Sequence, residues 1–130
     1  MPIDPITTAE AIEAIGRGEY LIVVDDAGEP NSGDLILAAR FADAEHINFL
    51  MMHARGTLCV AMTQARLDEL SIPAMLTDRD RAGGPNFHVS VDARHGVLGG
   101  DSAADRALTI GKLIATDTRP GDLVRPGHVQ

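Results

Sequence analysis

Chemistry in this sequence could start at a strand end followed by an acidic loop. Asp25-Asp26 closes the apolar run Tyr20–Val24, and the loop AGEPNSGD (27–34) ends on Asp34. Three carboxylates spaced in this way can gather around a hard cation or the hydroxyls of a polyol, because both are satisfied by oxygen acceptors. The same acidic loop would also serve simply as solvated surface, and spacing alone leaves both readings open.

Three further places carry reactive or anion-binding residue types. Gly96-Val97-Leu98-Gly99-Gly100 runs into a helix start at Ser102, where backbone N–H groups could attract an anion. Asp101 and Asp105 sit beside that positive end and would repel a phosphate, so the segment reads as a self-capped helix. Cys59, inside Thr57-Leu58-Cys59-Val60, reads as a small hydrophobe of the core. Arg125-Pro126-Gly127-His128 places an imidazole on a Pro-Gly turn next to a cation, which suits general acid–base work, although an exposed terminal His is the plainer reading. His46, His53, His88 and His95 fall at no metal-binding spacing.

The elements that must position these residues alternate between helix and strand. Thr7 with Glu10 is a capping box for a short helix carrying Ala11, Ile12 and Ile15 and stopped by Gly16 and Gly18. Residues 20–24 read as a strand buried on both faces, and Leu35–Ala39 as another. Asp43 caps a helix with Ile47, Leu50 and Met51 on one face. Thr57–Met62 reads as a strand, Thr63–Leu70 as a short helix closed by Pro73, and Asp78–Pro85 as a surface loop. Phe87, Val89 and Val91 alternate with His88, Ser90 and Asp92, the pattern of a half-buried strand with the polar set outward. Ser102 and Asp105 repeat the capping box for a helix with Ala103, Ala107, Ile110 and Ile114 inward, and the tail from Asp117 reads as loop. Strands separated by helices make an α/β (α+β layered) domain with its chemistry in loops at strand ends.

Composition narrows the partners. The 130 residues are 45% apolar, with a net charge of −8 and one cysteine, so a single domain spanning 1–130 is expected. Nineteen acidic against eleven basic side chains, without a basic cluster, argue against nucleic acid. No apolar stretch approaches the ~20 residues that span a bilayer, so no membrane partner is expected. The lone cysteine and an amino terminus without a signal-like pattern point to the cytoplasm.

Several of these stretches occur together in one order: Val24-Asp25-Asp26 with Asn31-x-Gly33-Asp34, Gly56-Thr57-Leu58-Cys59, Phe87–Asp92, SAADR (102–106) and RPGHV (125–129). In that order, from about Thr7 to Val129, the chain resembles the 3,4-dihydroxy-2-butanone 4-phosphate synthases of riboflavin biosynthesis. The resemblance implies a three-layer α/β/α fold, a homodimer and a small-molecule substrate. It also implies conversion of ribulose 5-phosphate to 3,4-dihydroxy-2-butanone 4-phosphate plus formate with Mg²⁺. It assigns catalytic roles to His128, Cys59 and Asp25, and substrate binding to Asp34, Asp26, Asn31 and Arg106.

The departures from the family pattern fall in the acidic loop. The family's D-D-E-x-R-E-N-E-G-D is here 25–34, with Glu29 for its arginine, Pro30 for its metal-binding glutamate and Ser32 for a second catalytic glutamate. The Thr-Thr-Gly stretch before SAADR is Leu98-Gly99-Gly100, followed by Asp101 in place of an apolar residue. The chain ends just past RPGHV, where relatives continue into an R-x-G-H-T-E-A segment carrying the second metal ligand. The resemblance therefore implies a fold lacking its C-terminal part and no retained protein ligand for Mg²⁺. Two functions follow as expectations. One is an impaired or diverged lyase, including a metal-independent enzyme on another small substrate. The other is a non-catalytic small-molecule-binding or assembly subunit.

Overall fold

The computed structural model describes residues 5–24, 33–76 and 86–130, which divide into two compact units, 1–41 and 42–130. In the first, α1 (Thr8–Gly16) starts at the expected capping box: the Thr7 amide donates to Glu10 Oε2 at 2.8 Å and the Glu10 amide to Thr7 Oγ1 at 3.3 Å. Gly18 turns the chain at φ +84°, with the Phe41 ring 3.0 Å from where a Cβ would stand. Strand β1 (Leu21–Val24) pairs antiparallel with β2 (Gly33–Ile36), Val23 opposite Asp34, and a 3₁₀ turn follows at Ala39–Phe41. The expectation of a strand buried on both faces is not met: Ile22, Val23 and Val24 are exposed. Among the described residues β1 has β2 as its one sheet neighbour, so no covered parallel sheet encloses it. The second strand also stops at Ile36, short of the expected Ala39.

The second unit holds most of the buried apolar side chains: Ile47, Leu70, Ile72, Val91, Ala93, Ile110, Leu113, Leu123 and Val129. Helix α2 (Ala44–His53), capped by Asp43 on the His46 amide, packs on α4 (Ala103–Ile114). Helix α3 (Gln64–Glu69) is capped by Thr63. Helix α4 lies in turn against an antiparallel pair, β3 (Val91–Ala93) and β4 (Leu123–Val129). The helix and strand content is that of the expected α/β class.

Four expectations change here, each through a contact distant in sequence. Segment 57–62 is not a strand; it exchanges two backbone hydrogen bonds with Gln130, Val60 N to Gln130 O and Gln130 N to Leu58 O. The expected strand over 87–92 shrinks to Val91–Ala93, and its alternation is lost: Phe87 is exposed, while Val91, Asp92 and Ala93 are all buried. The tail from Asp117 is not loop, because 123–129 is the longest strand described. The inward face of α4 is Asp105, Thr109, Ile110 and Leu113, while Ile114 is exposed. Polar Asp105 and Thr109 can face inward because each finds backbone partners there: Thr109 Oγ1 accepts from the Ala93 amide at 2.9 Å and donates to the Asp105 carbonyl at 3.0 Å.

Candidate active site

The site grows out of an irregularity in the β3–β4 pairing. Val91 pairs with Val129 but its neighbour Asp92 pairs with Val124, so Arg125–His128 is extruded from the ladder. Such bulges re-aim side chains and are common beside active sites. The extrusion brings His128 back over Asp92. Its backbone N–H donates to Asp92 Oδ1 at 2.9 Å, and its ring Nδ1 lies 2.7 Å from Asp92 Oδ2. A carboxylate only accepts, so Nδ1 carries the proton and donates. The neutral ring then keeps its lone pair on Nε2. Asp92 is buried at 6% exposure, whereas the His128 side chain is 42% exposed, so the free nitrogen sits where solvent or a substrate can reach it. An imidazole oriented through Nδ1 by a buried carboxylate is a built proton acceptor and donor.

Two glycines make this approach available. Gly127 crosses β3 so closely that a Cβ would stand 2.0 Å from the Val91 carbonyl carbon. Gly100, at φ +85°, lies against the pair itself, where a Cβ would stand 2.1 Å from Asp92 Oδ2 and 2.7 Å from His128 Nδ1. The amide of Gly127 also donates to Ser90 Oγ at 3.2 Å.

The glycine turn is held from the start of α4. Asp105 Oδ2 accepts from the amides of Leu98 (3.2 Å), Gly99 (3.1 Å) and Gly100 (2.9 Å). The capping box expected there is half formed. Ser102 Oγ accepts from the Asp105 amide at 3.0 Å, but the Asp105 carboxylate turns to the glycine amides. Those amides are thereby satisfied within the chain.

The Gly99 amide first, then that of Gly100, with Leu98 and the Ser102 hydroxyl adding, hold the Asp105 carboxyl below its ordinary value against the opposing effect of burial. A carboxyl depressed in the folded state binds protons more weakly than in the unfolded chain, so its stabilisation is complete above about pH 4 and is lost as pH falls through the folded value. Glu10, Glu19 and Asp43 are also depressed, by the Thr7 amide, by Arg17 and by the His46 amide respectively. Their contributions fall in the same window. Thermal melts of the wild type and Asp105→Asn between pH 6 and about pH 2 separate them: the stability gap between the two should narrow on acidification. A gap independent of pH would contradict this role of the carboxylate.

The residues expected to carry function are distributed unevenly. His128 stands at the centre of the arrangement. Arg106 is beside it but serves the backbone, its Nη1 donating to the His128 carbonyl at 2.8 Å and its Nε to the Asp101 carbonyl at 3.0 Å. Cys59 is exposed and not a core residue, because segment 57–62 runs along the edge at Gln130. Asp34 is exposed on β2 in the first unit. Asp25, Asp26 and Asn31, with Glu29, Pro30 and Ser32, lie outside the described residues.

Arg125, expected as a cation beside the imidazole, donates through Nη2 to the Leu70 carbonyl at 2.6 Å instead. Asp92 is the residue that sequence reasoning missed; the alternation placed it outward, and a carboxylate between Val91 and Ala93 was its one signal. Among the described residues no three His, Cys, Asp or Glu side chains gather where they could hold a metal ion, and most of the acidic loop, 25–32, lies outside those residues. Among them, too, no helix is long and apolar enough to cross a membrane.

The chain is similar to known proteins over most of its length. Residues 9–130 match the family model for 3,4-dihydroxy-2-butanone 4-phosphate synthase. The chain is 48% identical over 120 residues to the protein of that name from Agrobacterium fabrum, covering 92% of this chain and 56% of the relative. The Candida albicans 3,4-dihydroxy-2-butanone 4-phosphate synthase structure aligns at TM-score 0.84 and 37% identity, over 95% of this chain and 60% of that one. A structure of such a synthase in complex with two magnesium ions aligns at TM-score 0.89 and 37% identity, over 96% and 58%. The chain thus spans between half and two thirds of the length of these relatives and shares their fold over that span. It belongs to the 3,4-dihydroxy-2-butanone 4-phosphate synthase family.

Proposed function

We propose that this chain is a diverged 3,4-dihydroxy-2-butanone 4-phosphate synthase of riboflavin biosynthesis, with residues 1–130 forming one domain. Its family reaction, ribulose 5-phosphate to 3,4-dihydroxy-2-butanone 4-phosphate and formate, is retained at an impaired rate. The observation that carries the reading is the exposed His128 ring tied through Nδ1 to buried Asp92. The reaction requires an enolisation, a skeletal rearrangement and the loss of one carbon, and enolisation needs a base at a carbon next to a carbonyl. His128 Nε2 is that base, and Asp92 stabilises the imidazolium formed when the proton is taken. By resemblance, Cys59 and Asp25 take catalytic roles and Asp34, Asp26, Asn31 and Arg106 bind substrate; Arg106 also donates to the His128 carbonyl. The substitutions at Glu29, Pro30 and Ser32 are the reason for impairment: one reverses a charge facing a phosphorylated substrate and two remove carboxylates.

Formate release from ribulose 5-phosphate with Mg²⁺ tests the reading. Release slower than that of the Agrobacterium relative but above a His128→Ala control is the expected result. Release equal to the control would overturn it. The same three substitutions favour a second reading, a non-catalytic binding or assembly subunit. That reading predicts no turnover together with a melting temperature raised by ribulose 5-phosphate, since a ligand that binds only the native state stabilises it.

The protein acts as a cytoplasmic homodimer. Exposed Phe49, Met51 and Met52 on α2 support this assignment, because such a group of apolar side chains is better covered than solvated. Size-exclusion chromatography with light scattering should give twice the mass of the chain, and a monomer at micromolar concentration would contradict it.

A further inference from the structure

Asp105 is a buried carboxylate that the proposed chemistry does not use, and its carboxylate partners are backbone amides. Its partners are the amides of Leu98, Gly99 and Gly100, and the last of these residues lies directly on the Asp92–His128 hydrogen bond. Thr109 ties the backbone of Asp105 to β3 one residue from Asp92, through the Ala93 amide. The carboxylate is therefore fixed relative to β3, and the glycine turn is fixed relative to the carboxylate.

We propose that Asp105 is a positioning residue for His128: by gathering the three amides it presses the Gly100 backbone over the Asp92–His128 pair, keeping Nδ1 on Asp92 and Nε2 as the working nitrogen. This rests on the reading of His128 as the proton-transferring group. Physically, a half-exposed imidazole can rotate about its side-chain bonds and exchange its carboxylate partner for water. A backbone wall with no Cβ, packed on one side of the hydrogen bond, removes the space for that rotation. Asp105 suits the task because one charged carboxylate oxygen accepts several N–H donors at once, whereas an asparagine with its oxygen in that place would offer them only a neutral acceptor and set its NH₂ against the Leu98 N–H, which also reaches Oδ1 at 3.3 Å.

The test is histidine ¹⁵N NMR on the whole chain, which reads the tautomer of the folded state independently of turnover. In the wild type the neutral His128 ring should show the Nδ1–H form. Asp105→Asn should replace that signature by the averaged pattern of a free imidazole, and Gly100→Ala, which leaves Asp105 in place, should do the same. Ser102→Ala is the control. It removes the hydroxyl cap of the same helix and should lower the melting temperature without changing the His128 tautomer.

A wild-type His128 tautomer retained in folded Asp105→Asn would overturn the proposal, as would its loss to the same extent in Ser102→Ala. If Asp105→Asn does not fold, Gly100→Ala decides alone, and an unchanged ring there overturns the proposal. A wild type that releases no formate but shows these NMR changes would sink the catalytic reading and support the positioning role.

Discussion

Replacing His128 by Ala is expected to lower formate release from ribulose 5-phosphate by about 10²–10⁴-fold, the range that a positioned general acid or base contributes. Asp92→Asn should cost nearly as much, for a reason set by geometry. The backbone N–H of His128 holds the Asp92 Oδ1 position and needs an acceptor there, so an asparagine places its carbonyl oxygen on that side. Its NH₂ group then faces Nδ1 at the 2.7 Å position. Nδ1 must now accept, the ring proton moves to Nε2, and the nitrogen that faces solvent is no longer a base. The volume of the side chain is unchanged, so the fold should survive this substitution. Steady-state turnover together with a far-UV spectrum of the variant separates loss of the base from loss of the fold. A fully active Asp92→Asn protein would show that the pair does not govern the proton transfer.

Gly127→Ala should be the most damaging single methyl in the second unit. The added carbon would lie 2.0 Å from the Val91 carbonyl carbon, 2.3 Å from the Asp92 amide nitrogen and 2.3 Å from the Val91 oxygen. All three are backbone atoms, so no side-chain rotation relieves the overlap. Relief requires β3 and β4 to part, which opens the layer holding Val91, Ala93, Leu123 and Val129. Overpacking costs about 1–3 kcal/mol where side chains can adjust, and a backbone clash belongs at the upper end or beyond. With each kcal/mol worth roughly 2–8 °C, the melting temperature should fall by more than about 6 °C.

Gly111→Ala is the matched comparison. Nothing lies within 4 Å of its added carbon, and in the interior of α4 alanine should stabilise by about 0.5–1 kcal/mol. Equal melting temperatures for the two variants would mean that β4 does not approach β3 as closely as described.

These expectations rest on different amounts of sequence information. The starts of α1, α2 and α4 were legible at Thr7, Asp43 and Ser102, because a cap is a hydrogen bond over three residues and its signal lies in one short stretch. The family was legible too, since SAADR and RPGHV stand in the right order. His128 was singled out from the second of these motifs.

Its partner was not legible. Asp92 lies 36 positions away, and the alternation of 87–92 placed it on the solvent side. The loss of alternation follows from pairing. Val91, Asp92 and Ala93 are all buried once β4 and α4 cover them, and neither covering element is encoded near residue 92. Asp105 shows the same limit within a correctly read helix: the sequence marked a capping carboxylate, but the glycine turn offered it three amides in place of one.

By itself, then, the sequence determined the family, the helix starts and the identity of the histidine, all of which depend on residues close together in the chain. Tertiary structure alone decided that 123–129 is a strand, that Arg125–His128 is pushed out of its ladder, and that the imidazole meets a buried carboxylate. The physical reason is that burial and strand register are properties of the partner surface, and here that partner is supplied by a segment more than thirty residues away.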